Sequence, residues 1–164
     1  MNYDALINAH FGAVAISVYD NQLAIELLTE SPSPDNRQST HPLVEKVYEQ
    51  ITHYLQQPNA QFSLPVKLHG TAFQQRVWLA IADIPLGQTR TYGQLAHKIG
   101  SGPRAVANAC GANNLPLVIP CHRVVAQNGI GGFMQNKLNG LRVKTWLLKH
   151  EGVDISKYFH KDAV

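Results

Sequence analysis

The spacing of hydrophobic and polar positions changes along the chain. FGAVAISVYD and LAIELL lie on either side of Asp20, Asn21 and Gln22. Two apolar, β-branched runs around a short polar break predict a β-hairpin. The following SPSPDNRQST is a loop by composition. Leu43, Val44, Val47, Tyr48, Ile51, Tyr54 and Leu55 then recur at helical spacing, with Pro42 in the first turn and Pro58 beyond the end. QFSLPVKLHG predicts a further strand and the exit from this unit. Residues 1–66 therefore read as a small α/β domain.

Residues 67–164 form a second, mainly helical domain in the same reading. Thr71-Ala72-Phe73-Gln74 fits a capping box, in which the Thr and Gln side chains satisfy each other's backbone donors. Phe73, Val77, Trp78 and Ile81 make the apolar face of that helix, Pro85 stops it, and Gly87 turns the chain. A second helix runs from about residue 92 to 99 and ends at Gly100. A third begins near Pro103, whose missing N–H costs nothing in a first turn. Residues 91–112 thus have the pattern of a helix-turn-helix, which many helical hairpins share. GLRVKTWLLKHEG predicts a last helix. Leu141, Trp146 and Leu147 mark its core face, Arg142, Lys144 and Lys149 a basic face, and Gly152 its cap. VDISKYFHKDAV reads as a tail. Between the third and last helices, LVIPCHRVV reads as a core strand with Cys121, His122 and Arg123 in its middle.

Composition narrows the class. At 45% hydrophobic and 15% charged residues, the chain suits a globular protein. It has no apolar window long enough to span a membrane, and MNYDALINAH lacks the basic n-region of a signal peptide. The expectation is a cytoplasmic protein whose two cysteines, Cys110 and Cys121, are free thiols. Two cysteines are too few for a cysteine-rich zinc site, so no metal and no cofactor is expected. His10, His41 and His53 read as surface residues.

The net charge of +3 conceals an asymmetry. Residues 1–66 hold two Lys/Arg against seven Asp/Glu, and residues 67–164 hold twelve against four. Such a split suggests that the second half meets an anionic partner; solvated surface charge is the plain alternative. The third helix adds two features. Arg104 stands in its first turn, where the helix dipole disfavours a cation. Ala105, Val106, Ala107, Asn108, Ala109, Cys110, Gly111 and Ala112 are all small or short. Such a helix suits tight packing on a neighbour or close approach to a nucleic-acid groove, and the shallow minor groove suits it best.

A thiol becomes a nucleophile when a helix N-terminus, a cation or a histidine stabilises its thiolate. Cys121 has His122 next to it, but adjacent side chains point apart. A direct bond between them needs an unusual turn, or a bridging water must carry it. The imidazole would need an orienting acceptor. Asp83, Glu151 and Asp154 are the candidates, and Glu151 is the most attractive because it ends a helix rooted in the core. A structural buried cysteine fits the same spacing.

Pro-Cys-His-Arg-Val at 120–124 follows Asn113-Asn114-Leu115-Pro116 and the Arg104-Ala105-Val106 helix. With Phe73, Val77-Trp78, Tyr92-Gly93-Gln94-Leu95-Ala96 and Trp146-Leu147-Leu148-Lys149-His150-Glu151-Gly152, it resembles the O6-alkylguanine-DNA alkyltransferases over residues 71–152. Before residue 70 the likeness is limited to a compatible α/β domain. The resemblance implies a ribonuclease H-like first domain and a winged helix-turn-helix second domain. It implies direct-reversal DNA repair, with double-stranded DNA carrying O6-alkylguanine as partner, no obligate protein partner, and a monomer. The alkyl group would pass from the flipped guanine to Cys121, once per molecule, because the thioether product is a poor leaving group.

Residue by residue, the resemblance makes Cys121 the acceptor, His122 a water-mediated base and Glu151 its orienter. Asn113 would hold the turn before the active-site strand. Tyr92 would hydrogen-bond the flipped base and crowd the 3′ phosphate. Arg104 would fill the gap in the duplex, with Ala105, Ala107, Asn108 and Arg123 as further DNA contacts and Ala109 on the minor-groove surface. Phe133 and Met134 would line the substrate pocket, in a 133–140 stretch longer than is usual in the family. The zinc-binding cysteines of some relatives' first domain are absent from this sequence, and the expectation is that the extra phosphotriester-sensing domain of others is absent too. The rival readings are a lesion binder without transfer, a Cys-His hydrolase with turnover, and a transcription factor using the helix-turn-helix alone.

Overall fold

The structure is a computed structural model that describes residues 2–59, 61–65, 67–134 and 139–158. Its contacts divide the chain into two compact units. One is Met1–Lys67 with Asn114–Val118, and the other is Leu68–Asn113 with Ile119–Val164.

In the first unit β1 (Ala5–Ala9), β2 (Gly12–Tyr19) and β3 (Gln22–Leu28) form an antiparallel sheet in that order. The predicted hairpin is β2–β3. Its turn is only Asp20 and Asn21, at φ 55° and 61°, the left-handed pair that a two-residue hairpin of matching twist requires. Gln22 already pairs with Tyr19. β1 carries no strand pattern in the sequence, since Ala and Asn have little strand preference. The free edge of β2 decides it, pairing Ala5 with Ile16 through to Ala9 with Gly12. Leu23, Ile25 and Leu27 alternate inward on β3.

Helix α1 (Pro42–Gln56) packs on β1 and β2 through Val44, Val47, Ile51 and Tyr54. His41 caps it, its Nδ1 accepting from the Leu43 N–H at 3.2 Å. The strand expected in QFSLPVKLHG is not formed in its described residues. Pro65 has no N–H for a ladder, and the Gln50 side chain bonds both the N–H and the carbonyl of Ser63 at 2.9 Å. Asn114–Val118 also belongs to this unit. Leu115 and Leu117 are buried, and the Ile25 N–H donates to the Asn114 carbonyl at 2.9 Å.

The second unit is mainly helical. α2 (Ala72–Ala82) opens on the expected capping box of Thr71 and Gln74. After the short β4 (Arg90–Thr91), Thr91 and Gln94 make a second capping box for α3 (Tyr92–Ile99). Gly100 ends α3 at φ 72°, which only glycine adopts without strain. α4 (Pro103–Gly111) follows, and α2, α3 and α4 pack on one another. Trp78 anchors α2 to α4 by donating from Nε1 to the Ala109 carbonyl at 2.9 Å.

LVIPCHRVV does not form a continuous core strand. Cys121–Arg123 is one 3-10 turn, and only Val124–Val125 (β5) is extended, pairing parallel with β4. Pro120 offers no N–H. Its carbonyl accepts from the Arg123 N–H at 2.9 Å, while the Ile119 carbonyl accepts from the Cys121 N–H at 2.8 Å. α5 (Gly140–His150) then crosses the site with Gly152 at φ 85° beyond its end. The segment after α5 is not a loose tail throughout. Val153 joins Val125, Ile130 and Leu148 in a core cluster, with Ile155 and Tyr158 against it. Residues 159–164 lie outside the described residues. No described helix is long and apolar enough to cross a membrane.

Candidate functional site

Four segments of the second unit converge on the 3-10 turn. Cys121 sits at its start, 6% exposed. Asn113, just past α4, donates from Nδ2 to the Ile119 carbonyl at 2.9 Å and to Cys121 Sγ at 3.1 Å. One amide thus holds the backbone before the thiol and the thiol itself. A donor aimed at sulfur favours the thiolate, in which the lone pair carries full charge.

Next on the turn, His122 is buried and its Nε2 lies 2.7 Å from Glu151 Oε2. Burial holds the imidazole below its ordinary 6.5, against the pull of Glu151. Glu151 is buried too, which raises its pKa. Hydrogen bonds and charge from His122 and Arg123 outweigh this and bring it down to about 2. The carboxylate is therefore ionised at neutral pH and accepts from Nε2–H. Nδ1 is left as the basic nitrogen, and it is buried with no hydrogen-bond partner among the described residues.

Arg123 is a correction. Expected at a DNA surface, it is turned inward instead. Its Nε and Nη2 donate to Glu151 at 2.8 and 3.2 Å, and its Nη1 donates to the Ile84 carbonyl at 2.7 Å. The guanidinium's rigid fork matches the carboxylate, so Arg123 holds Glu151 with two nitrogens and ties it to the Ile84 carbonyl with the third.

The last helix also differs from expectation. Leu141 is 48% exposed, whereas Lys144 is fully buried. Gly140, Val143, Lys144, Leu147 and Leu148 form the buried face, and Glu151 follows at the same spacing. Lys144 Nζ donates to the Val124 carbonyl at 2.7 Å and the Gly132 carbonyl at 2.9 Å. Burial lowers its pKa to about 8, opposed by the Cys110 and Cys121 thiols. Its position was open to detection: a lysine on the stripe of Val143, Leu147 and Leu148 is placed against the hydrophobic pattern.

Tyr92, at the start of α3, is half-buried and donates to the Gly132 carbonyl at 3.4 Å. Burial pushes its pKa to about 12, so it stays a phenol and a donor at neutral pH. The Lys144 ammonium lies 5.9 Å from the Tyr92 ring centre and 6.0 Å from that of Phe133. Phe133 and Met134 are half-buried; 135–138 of the long stretch lie outside the described residues. Cys110, near the end of α4, is a free thiol that also interacts with Cys121, beyond what the sequence indicates. That contact and burial hold the Cys121 thiol well above its ordinary range, with Asn113 and Lys144 opposing.

Arg104 and Asn108 are exposed on α4, Ala105 and Ala107 half-buried beside them. Ala109 is buried, a correction to its expected place on the groove-facing surface, because it faces α2, where its carbonyl accepts from Trp78 Nε1. Asp83 and Asp154, the other candidate orienters, do not pair with His122; Asp154 binds Ser156 at 2.7 Å. No described cluster of three His, Cys, Asp or Glu has the makings of a metal site.

With this geometry in view, comparison with known proteins is decisive. The family model described as "6-O-methylguanine DNA methyltransferase, DNA binding domain" matches residues 72–153. The chain belongs to the 6-O-methylguanine DNA methyltransferase family. It is 30% identical to the constitutive methylated-DNA–protein-cysteine methyltransferase of Bacillus subtilis, covering 93% of this chain and 97% of that one. A probable methylated-DNA–protein-cysteine methyltransferase of Acanthamoeba polyphaga mimivirus is 48% identical over 60% of this chain and 65% of its own. The crystal structure of Mycobacterium tuberculosis OGT in complex with DNA is similar at a TM-score of 0.72 and 30% identity, covering 94% and 98% of the two chains. Like such members of the family, the chain has a mixed α/β fold with several helices. It spans only 37% to 65% of the length of several other curated relatives that it matches.

Proposed function

We propose that this protein repairs DNA by removing the alkyl group from O6-alkylguanine and keeping it on Cys121. The observation that carries the proposal is the Cys121 thiol, held at 3.1 Å by Asn113 and followed by a buried His122–Glu151 pair with His122 Nδ1 unpartnered. A neutral histidine oriented by an ionised carboxylate is a general base at physiological pH. It takes the thiol proton through one bridging water, since its Cys121 neighbour points elsewhere on the turn.

The thiolate then attacks the alkyl carbon. The new S–C bond forms as the C–O6 bond breaks, and the electron pair of that bond leaves on guanine O6. The guanine becomes neutral by taking one proton, and the Tyr92 phenol, which stays protonated at neutral pH, is its proposed donor. Lys144 lowers the thiol pKa by charge and fixes the Val124 and Gly132 carbonyls around the base site. The thioether is not turned over, so each chain acts once.

The reacting carbon lies inside a duplex stack, so the base must be extruded at a cost of a few kcal/mol. Arg104, exposed at the start of α4, is proposed to enter the gap. Ala105, Ala107 and Asn108 are proposed to meet the minor groove, and Phe133 and Met134 to border the base. The same reading takes residues 1–66 as a ribonuclease H-like domain and 67–164 as a winged helix-turn-helix domain. It takes the protein as a cytoplasmic monomer needing no cofactor.

The test is the intact mass of the protein after incubation with a duplex carrying one O6-methylguanine. The expected result is a gain of one methylene, on Cys121, never more than one per chain. A bound but unrepaired lesion would mean a lesion binder, and repair in excess of the protein would mean a turnover enzyme.

A further inference from the structure

The proposed transfer uses one of two cysteines. Cys110 has no part in it, yet it stands in hydrogen-bonding contact with Cys121. The positions are fixed from two sides. The Asn113 N–H donates to the Cys110 carbonyl at 3.2 Å, and the Asn113 side chain donates to Cys121 Sγ at 3.1 Å. Both thiols are reduced, and Cys110 is the more exposed. They are also the chain's only cysteines, so neither has another intramolecular partner.

We infer that Cys110 and Cys121 form a reversible peroxide-sensitive pair, in which a disulfide caps the alkyl-acceptor sulfur under oxidising conditions and releases it on reduction. The chemistry closes without a cofactor. Cys110 sulfur attacks a hydroperoxide: an S–O bond forms, the O–O bond breaks, and water (or an alcohol) leaves with the Cys110 proton. Cys121 sulfur then attacks the Cys110 sulfenic acid: the S–S bond forms, the S–O bond breaks, and water leaves with the Cys121 proton. Two thiols are oxidised and one peroxide is reduced. A small dithiol reverses the bond by exchange.

The order of events follows from the surroundings. Contact with Cys121 and the Lys144 ammonium lower the Cys110 thiol against the opposing effect of burial, while contact with Cys110 and burial both raise Cys121. The more exposed sulfur is thus the more readily ionised, and the thiolate is the form that peroxide oxidises. A lone acceptor sulfur would be exposed to irreversible oxidation to sulfinic acid, which would end repair as surely as an alkyl group. A disulfide is recoverable.

The test treats the full chain with one equivalent of hydrogen peroxide, then unfolds it in excess N-ethylmaleimide. Trypsin releases residues 105–123 as one peptide carrying both cysteines. The expected peptide is two hydrogens lighter and carries no label, and dithiothreitol restores two labels. Oxygen added to Cys121 with no cross-link, a disulfide-linked dimer, or full labelling of both cysteines would each overturn the inference. This readout does not depend on alkyl transfer, so its failure and that of the proposed function are distinct. Repair, where measured, should fall in proportion to the cross-link and return with dithiothreitol. In Cys110→Ser under excess peroxide, Cys121 should pass on to sulfinic acid and the lost repair should not return with dithiothreitol, and recovery equal to the parent protein's under the same excess would overturn the inference.

Discussion

Glu151 binds two consecutive residues of the 3-10 turn, His122 through Oε2 at 2.7 Å and Arg123 through Oε1 at 2.8 Å. One carboxylate orients the base and neutralises the cation beside it. In Glu151→Gln the imidazole loses its anionic acceptor and Arg123 its buried counter-charge. Single-turnover transfer from duplex O6-methylguanine should slow by about 10²-fold or more, as expected for a disabled general base. Unfolding in urea should show a loss of about 3 kcal/mol, as expected when one partner of a buried ion pair is removed.

Stability should depend on pH through the same residues. Glu151 ionises at about 2 in the folded chain against an ordinary 4.5. Its contribution is present above 4.5 and lost as pH falls toward 2. His122 is held below 6.5, so the unfolded chain binds its proton first, and stability falls as pH drops below 6.5. Both act in one direction. The thermal midpoint should decline from pH 7 to pH 4, and in Glu151→Gln the part of that decline below pH 4.5 should be much reduced.

Lys144→Met should cost both stability and rate. The buried Val124 carbonyl would lose its Lys144 donor, a penalty of about 2 kcal/mol for a buried group left unmet, while the exposed Gly132 carbonyl keeps Tyr92. The nearby thiols would lose a cation, so the pH at which transfer reaches half its maximum should rise. Urea unfolding and a pH–rate profile measure the two effects separately.

Arg104→Ala should separate base flipping from chemistry. Repair of duplex O6-methylguanine should fall by roughly tenfold or more, a loss of about 1.4 kcal/mol. Transfer from the free O6-methylguanine base, which needs no flipping, should be unchanged. The thermal midpoint should hold or rise slightly, because a cation is removed from the first turn of α4. An equal loss on both substrates would place Arg104 in the chemistry instead.

The short-range features of this fold were legible in the sequence. The Thr71–Gln74 box, the Gly100 stop, Pro103 at the start of α4 and the helical stripe of α1 each act over a few residues, and each is found where its pattern stands. The Cys-His pair and the acids available to orient it were visible as well. The sequence favoured Glu151 over Asp83 and Asp154, but only tertiary structure brings it to His122, because Glu151 is 29 residues away and arrives when α5 packs on the turn. Tertiary structure likewise turned Arg123 inward, buried Lys144, set Cys110 beside Cys121 and gave β1 its partner strand. Capping and periodicity are local energies that a sequence displays directly. The pairing of buried polar groups depends on which distant groups packing brings within about 3 Å, where leaving them unpaired is costly.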